Sequence, residues 1–373
     1  MTALPLPDPD VRPAPDPRLD ELGWGEPFAG AFQAHAGPGR RPGRVIAEDR
    51  GLYLVATADG EVRAAVSGRF RFEAGEDPGA YPAVGDWLAL DVREGGATIH
   101  ALLSRRSAFT RLAAGPVTRG QVLGANVDLV FIVTSLNRDF NVRRLERYLA
   151  AAWESGARPV VVLSKADLAE DLDGCLLAAE SAAPGVPILV VSAVDGTGLE
   201  DVRGYLAVGR TVAVVGSSGV GKSTLINALA GGEVQAVAEV RLDDGRGRHT
   251  TTRRELIALP GAGLILDTPG MRELGLLDDT GLASSFADVE EVATTCRFRD
   301  CSHATEPGCA VRTAIDAGAL APDRLDAYRK LGKEAAHAER RQNALARIEE
   351  RRRWKIIHKS VRTHMKQRYG GAR

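Results

Sequence analysis

The sequence predicts a multidomain chain. A small OB-type β-barrel comes first, then an α/β domain of the P-loop type in circularly permuted order, then an α-helical domain around a metal cluster. Three observations predict this. Five short segments of alternating apolar and polar residues, separated by Gly, Asp and Pro, lie between residues 43 and 103. A complete phosphate loop, Gly216-Ser217-Ser218-Gly219-Val220-Gly221-Lys222-Ser223, lies downstream of Ser164-Lys165-Ala166-Asp167, the segment it would ordinarily precede. Cys296, Cys301 and Cys309, three of the four cysteines, fall within fourteen residues and share them with His303.

Residues 1–40 are rich in Pro, Gly, Ala and Asp without a sustained period. They are expected to be a disordered extension, with a short helix anchored by Trp24 and Phe28. The barrel is expected over 41–112. Its strands are Gly43–Glu48, Gly51–Thr57, Glu61–Ser67, Asp86–Val92 and Ala97–Leu103. Five strands in this length suit an OB barrel, with an SH3-like barrel as the alternative.

The α/β domain is expected over 113–280. Asp128–Thr134, Pro159–Ser164, Pro187–Ser192, Thr211–Val215, Leu256–Leu259 and Gly263–Asp267 read as strands. Amphipathic stretches such as Asn141–Ser155 separate several of them, which indicates a parallel, doubly wound sheet. The helical metal-binding domain is expected over 281–335, and a basic helical tail over 336–373.

The phosphate loop sits between an apolar strand and a helix, the context that gives the motif its meaning. Its glycines let successive N–H groups of residues 216–221 face a phosphate, and the helix N-terminus adds positive potential. Lys222 is expected to reach the β- and γ-phosphates. Ser223 is expected to ligate Mg²⁺, with Thr224 near the α-phosphate. Asp267 ends an apolar strand in Asp267-Thr268-Pro269-Gly270. Its carboxylate is placed to bind Mg²⁺ through water, and the Gly270 N–H to meet the γ-phosphate.

Between these motifs runs Asp243-Asp244-Gly245-Arg246-Gly247-Arg248-His249-Thr250-Thr251-Thr252. This polar, glycine-rich stretch fits a switch that orders around a γ-phosphate and Mg²⁺. Thr251 is favoured as the threonine that completes the metal shell, with Thr250 and Thr252 as competitors.

Ser164-Lys165-Ala166-Asp167 matches the guanine reader. Asp167 would accept from the guanine N1–H and 2-amino group, and the Lys165 stem would lie along the ring. Ser164 stands where Asn or Thr is usual. It keeps a hydroxyl but lacks the amide that braces the phosphate loop, so weaker nucleotide binding is expected. Ser192-Ala193 follows by one helix and one strand, the place of the loop whose N–H meets the guanine O6. Met271 occupies the position from which Ras-like enzymes orient water with Gln. His249 is the favoured substitute, ahead of Arg246, Arg248 and Arg253.

Cys296-x4-Cys301-x-His303-x5-Cys309 supplies three thiolates and one imidazole. That is a closed tetrahedral set for one structural Zn²⁺, against the alternative of reduced, unligated thiols. Cys175, in a Leu/Ala-rich stretch, reads as packing.

The chain has 373 residues, 44% hydrophobic and 26% charged, with a net charge of −1. From Lys333 to Arg373 it carries 13 Lys/Arg and 4 Asp/Glu, so this end is strongly basic and the remainder acidic. Arg297 and Arg299, and Arg351-Arg352-Arg353-Trp354-Lys355, suit RNA contact. A solvated helix explains the tail almost as well. No apolar run reaches membrane-spanning length and no secretory signal is evident, so a cytoplasmic location is expected.

The whole arrangement resembles the ribosome small-subunit-dependent GTPase A family. The resemblance rests on Gly247-Arg248-His249-Thr250-Thr251-Thr252, Asp267-Thr268-Pro269-Gly270, and Cys296-Arg297-Phe298-Arg299-Asp300-Cys301-Ser302-His303 with Glu306-Pro307-Gly308-Cys309. Gln121–Asp128, Phe140-Asn141 and Arg144–Leu149 share it. It covers about residues 40–335. It implies a circularly permuted GTPase domain between an OB barrel and a zinc-binding domain, which together clasp 16S rRNA near the decoding region. It also implies hydrolysis stimulated by the 30S subunit, release of late assembly factors, and a catalytic role for His249. The chain is expected to act as a monomer. Two rivals remain at this level: an RNA-binding scaffold with a non-catalytic nucleotide site, and an ATP-dependent RNA enzyme.

Overall fold

The structure is a computed structural model, and it describes residues 17–49, 51–112, 120–137, 140–232, 254–267, 280–338 and 340. Two helices open it, α1 (Pro17–Glu21) and α2 (Glu26–Gln33). α2 is the short helix expected around Trp24 and Phe28, whereas α1 and the packing of both helices on the barrel correct the expectation of disorder for this part of the extension. Trp24, Phe28 and Phe32 gather on Trp87 of the barrel, with the Trp24 and Trp87 rings 4.7 Å apart. Composition hid this because the aromatic anchors are few and the Pro/Gly/Asp background dominates the average.

The barrel contains β1 (Arg40–Asp49), β2 (Leu52–Thr57), β3 (Gly60–Val66), β4 (Trp87–Arg93) and β5 (Gly96–Leu102). β1 pairs with both β2 and β4, and β3 pairs in parallel with β5, so the five strands close. A bulge between Val45 and Ala47 bends β1 so that one strand serves both neighbours. Helix α3 (Gly68–Ala74), absent from the sequence reading, follows β3 and is capped by the Ser67 hydroxyl.

A hairpin of β6 (Ala108–Leu112) and β7 (Gly120–Ala125) then leads out of the barrel. The alternation across 97–112 does not announce it, because β6 continues the barrel's pattern.

The second sheet comprises β8 (Leu129–Ser135), β9 (Arg158–Ser164), β10 (Ile188–Val191), β11 (Thr211–Val215), β12 (Arg254–Ala258) and β13 (Leu264–Asp267). Its order is β10-β9-β8-β11-β13-β12, parallel except for β12. β8, β9 and β11 are near-continuous runs of Val, Ile, Leu and Ala, as strands covered on both faces require. Helices α4 (Val142–Glu154), α5 (Leu172–Ala182), α6 (Leu199–Arg203) and α7 (Lys222–Ala230) connect them. The carboxyl ends of β8, β9, β10, β11 and β13 share one edge, where open α/β sheets bind ligands.

β12 also pairs with β1 of the barrel at Ala47–Glu255 and Glu48–Arg254. The Glu48–Arg254 ion pair, 3.4 Å long, spans this seam. Arg44 forms a second joint. Its buried guanidinium donates to the carbonyls of Leu22 in the extension, Gly85 in the barrel and Asn126 beyond the hairpin. Burial pulls its pKa down to about 10, against the opposing charges of Asp128 and Asp86. The extension thus completes the solvation of a cation shared by barrel and α/β domain. Phe28→Ala, which empties a buried ring site, should cost about 3 kcal/mol locally. Hydrogen exchange should then accelerate over 17–33 and around Arg44, while 211–230 stays protected.

Four helices end the described chain: α8 (Thr280–Ser285), α9 (Ala287–Ala293), α10 (Ala310–Asp316) and α11, over 322–338. α8 lies so close to α4 that a Cβ on Gly281 would sit 2.0 Å from the Ala150 carbonyl oxygen. Buried Arg324 pins this module to α4. It donates to Glu146 at 3.1 Å and to both carboxylate oxygens of Asp288 at 2.9 and 3.0 Å. Among the described residues no helix is long and apolar enough to cross a membrane. Residues 341–373, with Arg351–Lys355 and Trp354, lie outside the described residues.

Candidate nucleotide site and metal centre

The phosphate loop leaves β11 at the centre of the second sheet. Gly216 has φ +146°, and a Cβ there would lie 2.2 Å from the Val133 carbonyl oxygen of β8. Glycine is therefore required where the loop turns against its neighbouring strand. Gly219 and Gly221 also have positive φ, and Gly221 caps α7. Lys222 opens the helix and turns back over the loop, donating to the carbonyls of Gly216 at 2.8 Å and Ser217 at 2.5 Å. Ser223 and Thr224 follow in the first turn of α7. Asp267 ends β13, the strand beside β11, so its carboxylate and the Ser223 hydroxyl belong to adjacent elements of one edge.

The residues expected to read the base meet this loop from the other side. Ser164 ends β9, and its hydroxyl donates to the Val220 carbonyl of the phosphate loop at 2.6 Å. The expected loss of a brace is thereby corrected, since the shorter hydroxyl reaches the loop where an amide was thought necessary. Lys165, in the left-handed region at φ +58°, donates to the Gly219 carbonyl at 2.6 Å. Ala166 and Asp167 begin a single 3-10 turn. The Ser192 hydroxyl, fully buried at the end of β10, donates to Asp167 Oδ1 at 2.8 Å. Ser192 thus orients the carboxylate as well as leading into the Ala193 loop. The motif spacing hinted at neither link.

These contacts make a measurable prediction. Ser164→Ala leaves the Val220 carbonyl without its donor, a loss of about 1 kcal/mol. Nucleotide affinity should fall roughly fivefold, and Ser164→Asn should retain it. Titration with a fluorescent guanine nucleotide checks this.

His249, Arg246, Arg248, Arg253, Thr250, Thr251, Thr252, Gly270 and Met271 lie outside the described residues.

The metal cluster gathers as its spacing predicts. One donor atom each from Cys296, Cys301, His303 and Cys309 lies within 4.8 Å of the others. His303 Nδ1 is 3.6 Å from the Cys296 sulfur and 3.5 Å from that of Cys309. These four residues can hold one metal ion. Burial, then the nearby Arg329 cation, keeps the imidazole below its ordinary pKa and so favours the neutral, ligating form.

Glu306 ties the loop together. Its carboxylate accepts from the Ser302 hydroxyl and from the backbone N–H groups of Ser302, Ala304 and Thr305. The Ser302 hydroxyl bond, then the backbone donors, hold its pKa at about 2. Arg329 of α11 donates to the carbonyl of His303, which itself has φ +59°.

A family model described as RsgA GTPase matches residues 102–277. A relative from Opitutus terrae, named small ribosomal subunit biogenesis GTPase RsgA, is 46% identical over 356 residues, 92% of this chain and 97% of its own. The chain belongs to the RsgA GTPase family. A Streptomyces coelicolor relative of the same name is 45% identical over 95% of this chain and 97% of its own.

The crystal structure of YjeQ from Thermotoga maritima is 26% identical, with a TM-score of 0.61 over 80% of this chain and 99% of its own. YloQ, described as a circularly permuted GTPase, has the same fold, with a TM-score of 0.59 at 24% identity over 80% of this chain and 96% of its own. Membership in the RsgA family makes the chain a GTP-hydrolysing enzyme, and its strand order is that of the permuted fold.

Proposed function

We propose that this RsgA-family chain hydrolyses GTP to GDP and phosphate on the assembling small ribosomal subunit, and that the 30S particle stimulates it. The observation that carries the reading is 46% identity, over 92% of the chain, to a relative named for small-subunit biogenesis. That similarity includes the barrel and the metal module as well as the GTPase domain. It supports a chain that acts late in 30S maturation, binds 16S rRNA through its flanking domains, and leaves with hydrolysis as assembly factors are released. The reading places it in the cytoplasm as a monomer.

Asp167 reads the guanine edge, and Ser192 fixes the carboxylate that does so. Lys165 lies along the base while Ala193 presents its backbone to the guanine O6. Backbone N–H groups of Gly216, Ser217, Ser218, Gly219, Val220 and Gly221 wrap the phosphates. Lys222 leaves the loop carbonyls to neutralise the β- and γ-phosphates, and Thr224 supports the α-phosphate. Ser223, Thr251 and Asp267 would hold Mg²⁺, whose charge offsets that developing on the phosphates. The Gly270 N–H senses the γ-phosphate, and His249 positions the attacking water in place of the absent Gln.

Zinc is the proposed occupant of the Cys3His cluster. Metal–sulfur bonds of about 2.3 Å and metal–nitrogen bonds of about 2.1 Å at tetrahedral angles give nitrogen–sulfur separations of about 3.6 Å. The separations of 3.6 and 3.5 Å at His303 agree with that geometry. Four protein donors leave no place for water, so the ion is structural.

GTP turnover with and without purified 30S subunits, in the wild type and in His249→Ala, tests the reading. Stimulation in the wild type and its loss in the variant, with nucleotide affinity retained, are expected. No stimulation would favour a scaffold with a static nucleotide. Stimulation retained in His249→Ala would remove the histidine from the chemistry.

A further inference from the structure

The metal loop carries an exposed aromatic ring among arginines. Phe298 lies between Cys296 and Cys301, 41% exposed, with Arg297 and Arg299 exposed on either side of it in sequence. The Arg297 guanidinium stands 5.6 Å from the ring centroid. The loop is braced beneath them. The Arg297 N–H donates to the Gly308 carbonyl at 3.2 Å, and the Cys301 N–H to the Phe298 carbonyl at 3.3 Å. The two flanking cysteines belong to the donor cluster.

Charge at this tip is arranged in the same sense. Glu306 spends its carboxylate on four donors of its own loop. Arg297, Arg299 and Arg312 are exposed, with Asp300 as the one exposed acid between Cys296 and Cys301. Arg312 also braces the loop, donating to the Ala304 carbonyl at 2.9 Å. A flat apolar face within a cationic surround suits an unpaired nucleobase, whose ring stacks while its phosphates meet the arginines. An apolar protein partner would leave those guanidinium groups desolvated, and a membrane surface would need a wider apolar face than one ring.

We infer that Phe298 is a stacking platform for an unpaired RNA base, with Arg297 and Arg299 holding the flanking phosphates. The inference rests on the ribosomal reading above and gives it a residue-level contact. The zinc ion then acts on recognition indirectly, because it fixes the loop that presents the ring.

Two measurements test this. The first is affinity for purified 30S subunits across a salt series. Phe298→Ala should bind roughly 5- to 150-fold more weakly, and Phe298→Trp should retain wild-type affinity. The salt slope should stay unchanged in Phe298→Ala and become shallower in Arg299→Ala, since only the latter removes a phosphate contact. Zinc content, unchanged in each variant, reports that the loop is intact. Wild-type affinity in Phe298→Ala would overturn the inference.

The second measurement is indole fluorescence of Phe298→Trp, corrected for the wild-type signal, during titration with single-stranded oligouridylate or an RNA duplex. Quenching by the single strand alone is expected. Weaker 30S binding by Phe298→Ala without such quenching would mean that the ring meets a protein surface, which overturns the inference. If the wild type fails to bind 30S, the ribosomal reading fails, and the oligonucleotide titration still decides the stacking.

Discussion

Arg324→Ala should loosen the C-terminal module from the GTPase domain, at a cost of about 3–5 kcal/mol. The guanidinium is 4% exposed and the Glu146 carboxylate it meets is 3% exposed. Arg324 also donates to the Ala182 and Ser285 carbonyls and stands 4.2 Å from the Phe286 ring centroid. Removing it leaves a buried carboxylate without its principal cation and two carbonyls without a donor. Truncating a buried pair is costly for that reason, even where the intact pair adds little net stability. The Glu146→Gln/Arg324→Ala double variant should recover part of the loss, because the remaining side chain is then neutral.

The effect depends on pH with a definite sign. Burial raises the pKa of Glu146 above its ordinary value, and Arg324 opposes that rise. A carboxyl raised on folding contributes stability below its unfolded pKa, and the contribution is lost as pH rises through the folded value. Without Arg324 the folded value rises further. The variant's deficit should therefore be largest near neutral pH and narrow as pH falls through the carboxylate range. Because the chain has several domains, hydrogen exchange over 280–338 is a better readout than one melting temperature.

Asp167→Asn should change which nucleotide is bound. In the proposed reading the carboxylate accepts two guanine donors, and Ser192 holds its Oδ1 at 2.8 Å. Asparagine keeps the shape but offers a donor where guanine also donates. Each hydrogen bond to a charged acceptor contributes about 1.5–3 kcal/mol, so losing two should weaken GTP binding by roughly 100-fold or more. Xanthosine triphosphate, whose ring presents an acceptor at that edge, should bind better to the variant than to the wild type. Competition titration measures both. An unchanged preference for GTP would show that guanine is read elsewhere, and a preference for ATP in the wild type would favour the ATP-dependent alternative.

The nucleotide-binding edge was legible because its chemistry forces residue types into short spacings. Thr211–Val215 is placed by sequence to the residue, since a buried β-branched run ending at a glycine has few other readings. The Cys3His group was legible for the same reason. Tertiary partners were not. Nothing near Arg324 in sequence points to Glu146, because only the packing of α11 against α4 creates that contact, and the reach of the Ser164 hydroxyl to Val220 shows only once β9 is set beside the phosphate loop. The short helix around Trp24 and Phe28 was legible, but α1 and the packing on Trp87 were not, because these rings meet Trp87 only once the barrel has closed. β12 departs from the expected parallel order, and its pairing with β1 joins the two sheets in a way no local pattern encodes.

The permuted order has a mechanical consequence. Ser164–Asp167 precedes the phosphate loop, so the described elements that follow Asp267 in sequence are α8 and the metal module. That module is anchored to α4 through Arg324, and the barrel is joined to β12 through β1. In the proposed reading, a γ-phosphate sensed just after Asp267 would lie close in sequence to one RNA-binding element, and β12, which follows the proposed switch, is paired to the barrel that would form the other. By this route the bound nucleotide would control the grip on the small subunit.

The most direct test is the affinity of the full chain for purified 30S subunits with a non-hydrolysable GTP analogue and with GDP, each at saturation. Binding at least tenfold tighter with the analogue is expected, about 1.4 kcal/mol of coupling. Equal affinity in the two states would contradict it.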